Sequence, residues 1–301
     1  MARKSVRESR RLAYELRFSK DSILRESVVF PPINKIRDQY LQDCLLINKN
    51  ITPAHDQAIA EVCEKLLLPR EAVTSFIRSS SEINAHCTAV DPAECVLFFT
   101  SGLVNLLSIE EFSFVVGHEI GHFLMQHYMH AANKESVEYF MQSKYQEISA
   151  DRIGYIVCKD LDTAASALIK IMSGLDSEHL RLDIAQFLSQ ASMITKKDIS
   201  EDCFSTHPSI LFRCRALLWC SIHITSIDYP KNIIKSVVDK IDLSVEKDMH
   251  KYVENQSTSM IDKAITDVFM WESISVILRD NKFNKSEQSV FSELFGKDIL
   301  D

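Results

Sequence analysis

Glycine and proline are scarce in this chain, which has 6 and 7 of them among 301 residues. Few residues are therefore suited to tight turns or to breaking helices, and the composition favours a mostly α-helical protein. Long apolar runs are absent as well. No stretch of 18 or more apolar residues occurs, and the nearest candidate, residues 94–107, is short and contains Thr100, Ser101 and Asn105. The sequence thus predicts no stable insertion into a membrane.

Cysteine is present but lacks the spacing of a disulfide framework. The eight cysteines include no CxxC pair, and the start of the chain has no apolar core of the kind that a secretory signal needs. The sequence therefore predicts reduced thiols and a cytoplasmic location.

Positive charge is in deficit over most of the chain. The formal net charge of −8 argues against a general nucleic-acid binder, because phosphate binding needs a positive field. Residues 1–40 are the exception, with ten Lys and Arg against five Asp and Glu. We expect a solvated amphipathic helix there, and contact with a membrane surface or a partner is the alternative.

The apolar pattern divides the chain into three parts. Residues 1–70 alternate charged and apolar positions at helical spacing and are predicted to form an N-terminal helical segment. Residues 71–220 are expected to form the central domain, which contains the motifs described below. Residues 221–301 are predicted to form a C-terminal helical region.

The central domain begins with β-favouring runs and continues with helices. The runs are Val73–Arg78, Ile83–Val90 and Cys95–Thr100. Three short strands so close in sequence predict a small antiparallel sheet. Ser108 followed by Glu111 is a capping box, and it predicts a helix that extends to about His130. A second helix is predicted over Ser136–Cys158.

His118-Glu119-Ile120-Gly121-His122 is the most informative stretch of the chain. Residues four apart in an α-helix lie one turn above each other on the same face, so both imidazoles can reach one metal ion. Glu119 follows the first histidine and can act as a general base on a water beside the metal. Two ordinary histidines on a solvent-facing helix are the alternative.

A catalytic zinc ion usually takes three protein ligands and leaves a fourth position for water. Glu147, 25 residues after His122, is the candidate third ligand on the next predicted helix. Asp151 follows Glu147 by one helical turn and could accept the outer N–H of a ligand histidine, which fixes its tautomer. The alternative is that these two acids lie on a solvated helix face.

Several motifs together resemble those of a known family. Residues Phe98–His127 look like the core of the gluzincin metallopeptidases of the HtpX, Oma and CAAX prenyl protease type. Residues Glu147–Asp151, EISAD, are similar to that family's E-x-x-A-D signature, whose Glu is the third zinc ligand. Residues Ser205–Pro208 with Arg213 resemble its late S-x-H-P…R motif, and Asn84-Ala85 is similar to the "NA" of its substrate-binding edge strand.

The resemblance covers roughly residues 70–220, which would then be the zinc metallopeptidase catalytic domain. It implies an α+β, mostly α-helical fold with a zincin-type core, in which the small antiparallel sheet packs on the active-site helix and the glutamate helix. The hydrophobic spans of the membrane-bound members have no counterpart here. The implied site consists of the zinc ligands His118, His122 and Glu147 with Asp151 beside them, the catalytic Glu119, His207 and Arg213, and the substrate-binding Asn84, Ala85 and His86.

Alternatives remain for several of these residues. The resemblance makes His207 and Arg213 candidate donors to the oxyanion of a tetrahedral intermediate, and a loop histidine and a surface cation are the alternatives. The strand that holds His86 is expected to bind an extended peptide as an added strand, and a plain sheet edge is the alternative. His127 and His130, like His86, are expected to be structural or solvent-facing rather than ligands.

The sequence therefore predicts a zinc-dependent endopeptidase with one Zn²⁺ per chain, in which Glu119 is the general base on a metal-activated water. Its expected partners are protein or peptide substrates bound in extended form. A catalytically latent or inactive member, acting as a protein-binding or chaperone-like module, is the alternative. The sequence predicts no particular oligomeric state.

Overall fold

The computed structural model describes residues 2–21, 30, 33–129, 137–190, 208–224, 229, 233–248, 268 and 272. The chain divides into two compact units. The first consists of Met1–Ile194 and Phe204–Met249, and the second of Thr195–Cys203 and His250–Asp301. Only Val268 and Glu272 of the second unit are described, so the fold below is that of the first unit. Apart from these two residues, the helices expected beyond residue 250 lie outside the described residues.

Helices form most of the described part of the chain, as the composition predicts. They are α1 (Ala2–Leu16), α2 (Ile33–Asp43), α3 (Pro53–Lys65), α4 (Ser101–Leu106), α5 (Ile109–Leu124), α6 (Val137–Cys158), α7 (Leu161–Ser173), α8 (Ile184–Ser189), α9 (Ile210–Ile224) and a helix over residues 235–248. None of the described helices has the length and apolar character needed to span a membrane. The predicted mostly helical α+β class is confirmed.

A mixed sheet of four strands accompanies the helices. The strands are β1 (Leu45–Leu46), β2 (Val73–Arg78), β3 (Ala85–Asp91) and β4 (Glu94–Thr100), in the order β1-β2-β4-β3. β3 and β4 form an antiparallel hairpin, and β1 pairs antiparallel with β2, but β2 and β4 are parallel. The prediction of a purely antiparallel sheet is therefore wrong for the β2–β4 pair. The three predicted strands also did not include the two-residue β1.

The strand order follows from the burial of β4. Every residue of β4 except Glu94 is buried, so β4 takes an inner position between β2 and β3. Residues 79–84 lead from the end of β2 past β4 to the start of β3, a step of two strand spacings or about 10 Å, which a segment of this length spans. They pass so close to Gly102 that a Cβ there would collide with the Glu82 carbonyl. Because β3 and β4 are a hairpin, β4 returns parallel to β2.

Aromatic rings cover both faces of the sheet. Phe98 and Phe99 are consecutive in β4 and therefore point to opposite faces. The Tyr40 ring of α2 lies 5.4 Å from the rings of both Phe76 and Phe98 on one face. The Phe112 ring of α5 lies 4.8 Å from the Phe99 ring on the other face. This second contact holds α5, which carries the His118–His122 stretch, against the sheet.

The predicted capping box at the start of α5 is confirmed. The Ser108 hydroxyl accepts from the Glu111 backbone N–H at 3.2 Å, and the Glu111 carboxylate accepts from the Ser108 N–H at 2.7 Å. α5 ends at Leu124 rather than near His130, because Gln126 has a φ of 61° and turns the chain out of the helix.

Glycines allow α5 and α6 to approach closely. A Cβ on Gly121 would lie 3.1 Å from the Ile153 Cβ and 3.2 Å from the Ala150 Cα, and a Cβ on Gly117 would lie 3.0 Å from the Gly154 Cα. Ordinary side chains at these positions would push the helices apart. The close approach brings Glu147 and Asp151 of α6 to the face of α5 that carries the two histidines.

Candidate metal centre

Three side chains from α5 and α6 direct their metal-binding atoms toward one point. They are His118 and His122, one turn apart on α5, and Glu147 on α6, and one ligand atom of each lies within 4.8 Å of the others. The two Nε2 atoms are 3.1 Å apart, and they lie 3.5 Å and 3.4 Å from the two oxygens of Glu147. Ligands of a tetrahedral ion with bonds of about 2.0–2.1 Å lie roughly 3.3–3.4 Å apart, so this donor set fits zinc.

The outer nitrogen of His118 is held by a buried carboxylate. The Nδ1 atom lies 2.9 Å from Asp151 Oδ1. Asp151 cannot donate as a carboxylate, so Nδ1 carries the proton and the Nε2 lone pair faces the other ligands. Burial would raise the pKa of Asp151, but the Arg213 guanidinium and the His118 ring outweigh burial, and the pKa is lowered from its ordinary value. Asp151 is therefore ionised at neutral pH.

Arg213 is a buried cation between the carboxylates of Glu147 and Asp151 on α6. Its Nε and Nη2 donate to the two oxygens of Asp151 at 2.8 Å and 2.6 Å, and its Nη1 lies 3.1 Å from Glu147 Oε2. The start of α9 sets this position, since the Ser209 carbonyl accepts from the backbone N–H of Arg213 at 3.0 Å. Arg213 thus orients both acids, and it is neither a surface cation nor among the described residues that line the cleft.

The metal centre lies in a cleft of about 430 Å³. Its lining comes from β3 and the residue before it, from α5 and the turn after it, and from α6. The residues are Asn84, Ala85, His86, Cys87, His118, Glu119, His122, Phe123, His127, Tyr128, Tyr139, Ser143, Gln146 and Glu147. Glu119 is half-buried and lines the cleft next to His118.

The predicted substrate-binding residues lie at one wall of this cleft. Among the described strands, β3 pairs only with β4, so its other edge has no strand beside it. The Asn84 backbone is fixed just before β3, because its N–H donates to the Thr100 hydroxyl at 3.0 Å and its carbonyl accepts from the Thr100 N–H at 3.0 Å. The His86 ring stacks on Phe98 at 4.6 Å. Burial lowers the pKa of His86 and outweighs the nearby charge of Glu119, which raises it. The lowered pKa favours the neutral ring.

His127 makes a contact that the sequence did not predict. Its burial agrees with the structural role expected for it, but its Nδ1 lies only 2.7 Å from Nδ1 of His122. Burial lowers the pKa of His127 to about 4, so its ring is neutral at pH 7. His127 lies five residues after His122 and beyond the end of α5. This spacing does not place two residues on one helix face, so no sequence pattern indicated the contact between the two rings. His207 lies outside the described residues.

Comparison with known proteins identifies a family for this region. Residues 52–143 and 137–219 match peptidase family M48, and together they span more than half of the chain. The chain is also similar to the plastoglobule-localized metallopeptidase 48, chloroplastic, of Arabidopsis thaliana, with 25% identity over 178 residues that cover 52% of this chain and 51% of the relative. The chain thus spans about half the length of this curated relative. No solved structure matches this chain.

Proposed function

Because the chain belongs to peptidase family M48, we propose that it is a zinc-dependent endopeptidase with one Zn²⁺ per chain. The observation that carries this proposal is the group of buried His118, half-buried His122 and buried Glu147, at ligand distances from one another, in a cleft that Glu119 also lines. When bound, zinc would supply Lewis acidity that lowers the pKa of a water and polarises a carbonyl oxygen.

Glu119 is the proposed general base, because its side chain lines the cleft next to His118. In this proposal its carboxylate accepts a proton from the attacking water and later donates it to the nitrogen of the leaving amine. Asp151 keeps His118 in the tautomer that presents Nε2. Arg213 keeps Asp151 ionised and holds both Asp151 and Glu147 in place. For the oxyanion we propose His207 as the donor, since Arg213 directs its nitrogens to the two carboxylates.

The open edge of β3 suits an extended substrate. A peptide that lies along Asn84, Ala85 and His86 can pair with the backbone of this edge as an added strand, and its scissile bond then lies near Glu119. Recognition of this kind depends mainly on backbone hydrogen bonds and tolerates many sequences. We therefore propose unfolded or extended protein segments as the substrate class. The cytoplasmic location expected from the sequence stays a prediction.

Zinc content and peptidase activity of matched variants test the proposal. The wild-type protein should bind one zinc per chain and cleave unfolded casein, and a chelator should stop cleavage. Glu119→Gln should keep the zinc and the fold but lose activity by about 10²–10⁴-fold, the range for a general base. His118→Ala should lose the zinc. Glu110→Gln, which changes an exposed glutamate on the same helix, should keep both the zinc and the activity.

The outcomes separate the competing roles. Full activity of Glu119→Gln would refute the proposed base. A wild-type protein that binds zinc and casein but does not cleave it would favour a latent or protein-binding member of the family.

A further inference from the structure

A chain of hydrogen bonds leads from His122 to a residue near the start of the sequence. Nδ1 of His122 lies 2.7 Å from Nδ1 of His127, and Nε2 of His127 lies 3.0 Å from Asp21 Oδ2. The other oxygen of Asp21 accepts from the Gln142 amide at 2.9 Å. The His127 and Asp21 side chains are 4% and 1% exposed, so water does not compete for these contacts.

The direction of this chain follows from the carboxylate at its end. A carboxylate only accepts, so Nε2 of His127 donates to Asp21. In the tautomer of His127 that donates only through Nε2, Nδ1 has a lone pair, and this atom accepts from Nδ1 of His122. The remaining nitrogen of His122, Nε2, is left with its lone pair toward the other two ligands. This is the tautomer that a metal ligand needs.

We propose that Asp21, acting through His127, is a positioning residue for the zinc ligand His122. The inference rests on the proposed zinc site. Asp151 supports His118 directly, and Asp21 supports His122 through one intervening ring, so each ligand histidine is backed by a buried carboxylate.

Asp21 is held in place by the helix that carries Glu147. The Phe18 N–H donates to the Ser149 hydroxyl at 3.1 Å, Arg152 donates to the Leu16 carbonyl at 3.3 Å, and the Asp21 N–H donates to the Phe18 carbonyl at 3.0 Å. These contacts fix the segment that follows α1 along α6. The family match begins only at residue 52, so a residue outside the recognised domain takes part in its metal centre.

The turn that brings His127 back to His122 is also tied to α1. Gln126 has a φ of 61°, in the left-handed region that residues other than glycine rarely adopt. The Tyr14 hydroxyl donates to the Gln126 side-chain oxygen at 2.8 Å. Two neighbouring contacts, through Tyr14 and Asp21, therefore connect the N-terminal segment to the residues that orient His122.

Zinc affinity of an Asp21→Asn variant tests the inference without reference to activity. Asparagine keeps the shape but removes the charge that anchors the hydrogen bonds. We expect the zinc dissociation constant, measured by competition with a chelator, to rise about 10–100-fold, as for other residues that support a metal ligand. The visible absorption of the Co²⁺-loaded variant should also differ from that of the wild type, because the ligand field at His122 changes.

Asp242→Asn is the matched control, because it should weaken the packing of the N-terminal segment without interrupting the hydrogen bonds to His122. Asp242 accepts from the Ser19 N–H at 3.1 Å and pairs with Arg152 at 2.6 Å, but it is bonded to no member of the His122–His127–Asp21 chain. This variant should lower the melting temperature of the metal-free protein and leave zinc affinity within about twofold. Equal zinc affinity of Asp21→Asn and wild type would overturn the inference, and so would equal weakening in the two variants. A wild-type protein that binds no zinc would instead contradict the proposed function.

A second variant keeps the test decisive if Asp21→Asn does not fold. His127→Asn retains an oxygen that can accept from His122 but is too short to reach Asp21. It should weaken zinc binding by a similar factor. The double variant should bind zinc no more weakly than the weaker single variant, because both changes interrupt one path. Losses that multiply would show two separate structural effects and refute the relay.

Discussion

Replacing Glu111 by Gln tests whether a buried ion pair fixes the start of α5, the helix that carries His118 and His122. One Glu111 oxygen lies 2.8 Å from the Lys170 ammonium and accepts from the Ser108 N–H, and the other accepts from the Ser166 hydroxyl at 2.5 Å. The side chains of Lys170 and Glu111 are 4% and 7% exposed. Glutamine keeps the shape and one acceptor, but it leaves the ammonium buried without its counter-charge.

The expected loss is about 3 kcal/mol in the free energy of unfolding, because removing one partner of a buried ion pair costs about 3–5 kcal/mol. Lys170 keeps a hydrogen bond to the Ser177 hydroxyl at 2.7 Å, which holds the loss at the lower end. Exposed ion pairs contribute only about 0–1 kcal/mol. Glu110→Gln, at the exposed neighbouring position, is therefore the matched control.

Urea unfolding of the metal-free protein, followed by circular dichroism and by tryptophan fluorescence, measures the difference. Adding Lys170→Met to Glu111→Gln should recover most of the stability, since no buried charge is then left alone. A Glu111→Gln protein within about 1 kcal/mol of Glu110→Gln would refute the reasoning, because such a loss is that of a solvated pair.

Three further predictions concern the metal centre. Gly121→Ala places a methyl group 3.2 Å from the Ala150 Cα. The overpacking costs about 1–3 kcal/mol, which exceeds the roughly 1 kcal/mol gained in helix propensity. Chemical unfolding should therefore show a lower free energy of unfolding, and competition with a chelator should show weaker zinc binding. Arg213→Lys keeps a charge but cannot bind Asp151 through two parallel hydrogen bonds, and zinc affinity in the same competition assay should fall about tenfold. Removing zinc that was present at 100 times its dissociation constant should cost about 2.7 kcal/mol; calorimetry should show a lower melting temperature that zinc restores, whereas His118→Ala should not respond.

Features set by neighbours along the chain could be predicted from the sequence. The capping box of Ser108 and Glu111 needs only a spacing of three residues, and the helix from Val137 to Cys158 begins within one residue of its predicted start. The spacing of four between His118 and His122 likewise fixes one helix face whatever the rest of the fold does.

Features that depend on distant residues could not be predicted. Apolar runs indicate strands but not their order, so the parallel pairing of β2 with β4 was missed. Asp21 and His127 are separated by 106 positions, and no local pattern marks such a pair. Motif resemblance singled out Arg213 as a candidate oxyanion donor, but only the packing of α9 shows that it meets two carboxylates.

The glycines between α5 and α6 have a consequence for the choice of ion. Gly117 and Gly121 approach the backbone of α6 directly, so they help to set the helix separation that leaves the two Nε2 atoms 3.5 Å and 3.4 Å from the Glu147 oxygens. A cation that prefers oxygen ligands at about 2.3–2.6 Å, such as calcium, would need a wider and more numerous donor set. In the proposed metal site, two residues that have no side chain would thereby restrict the size of the ion.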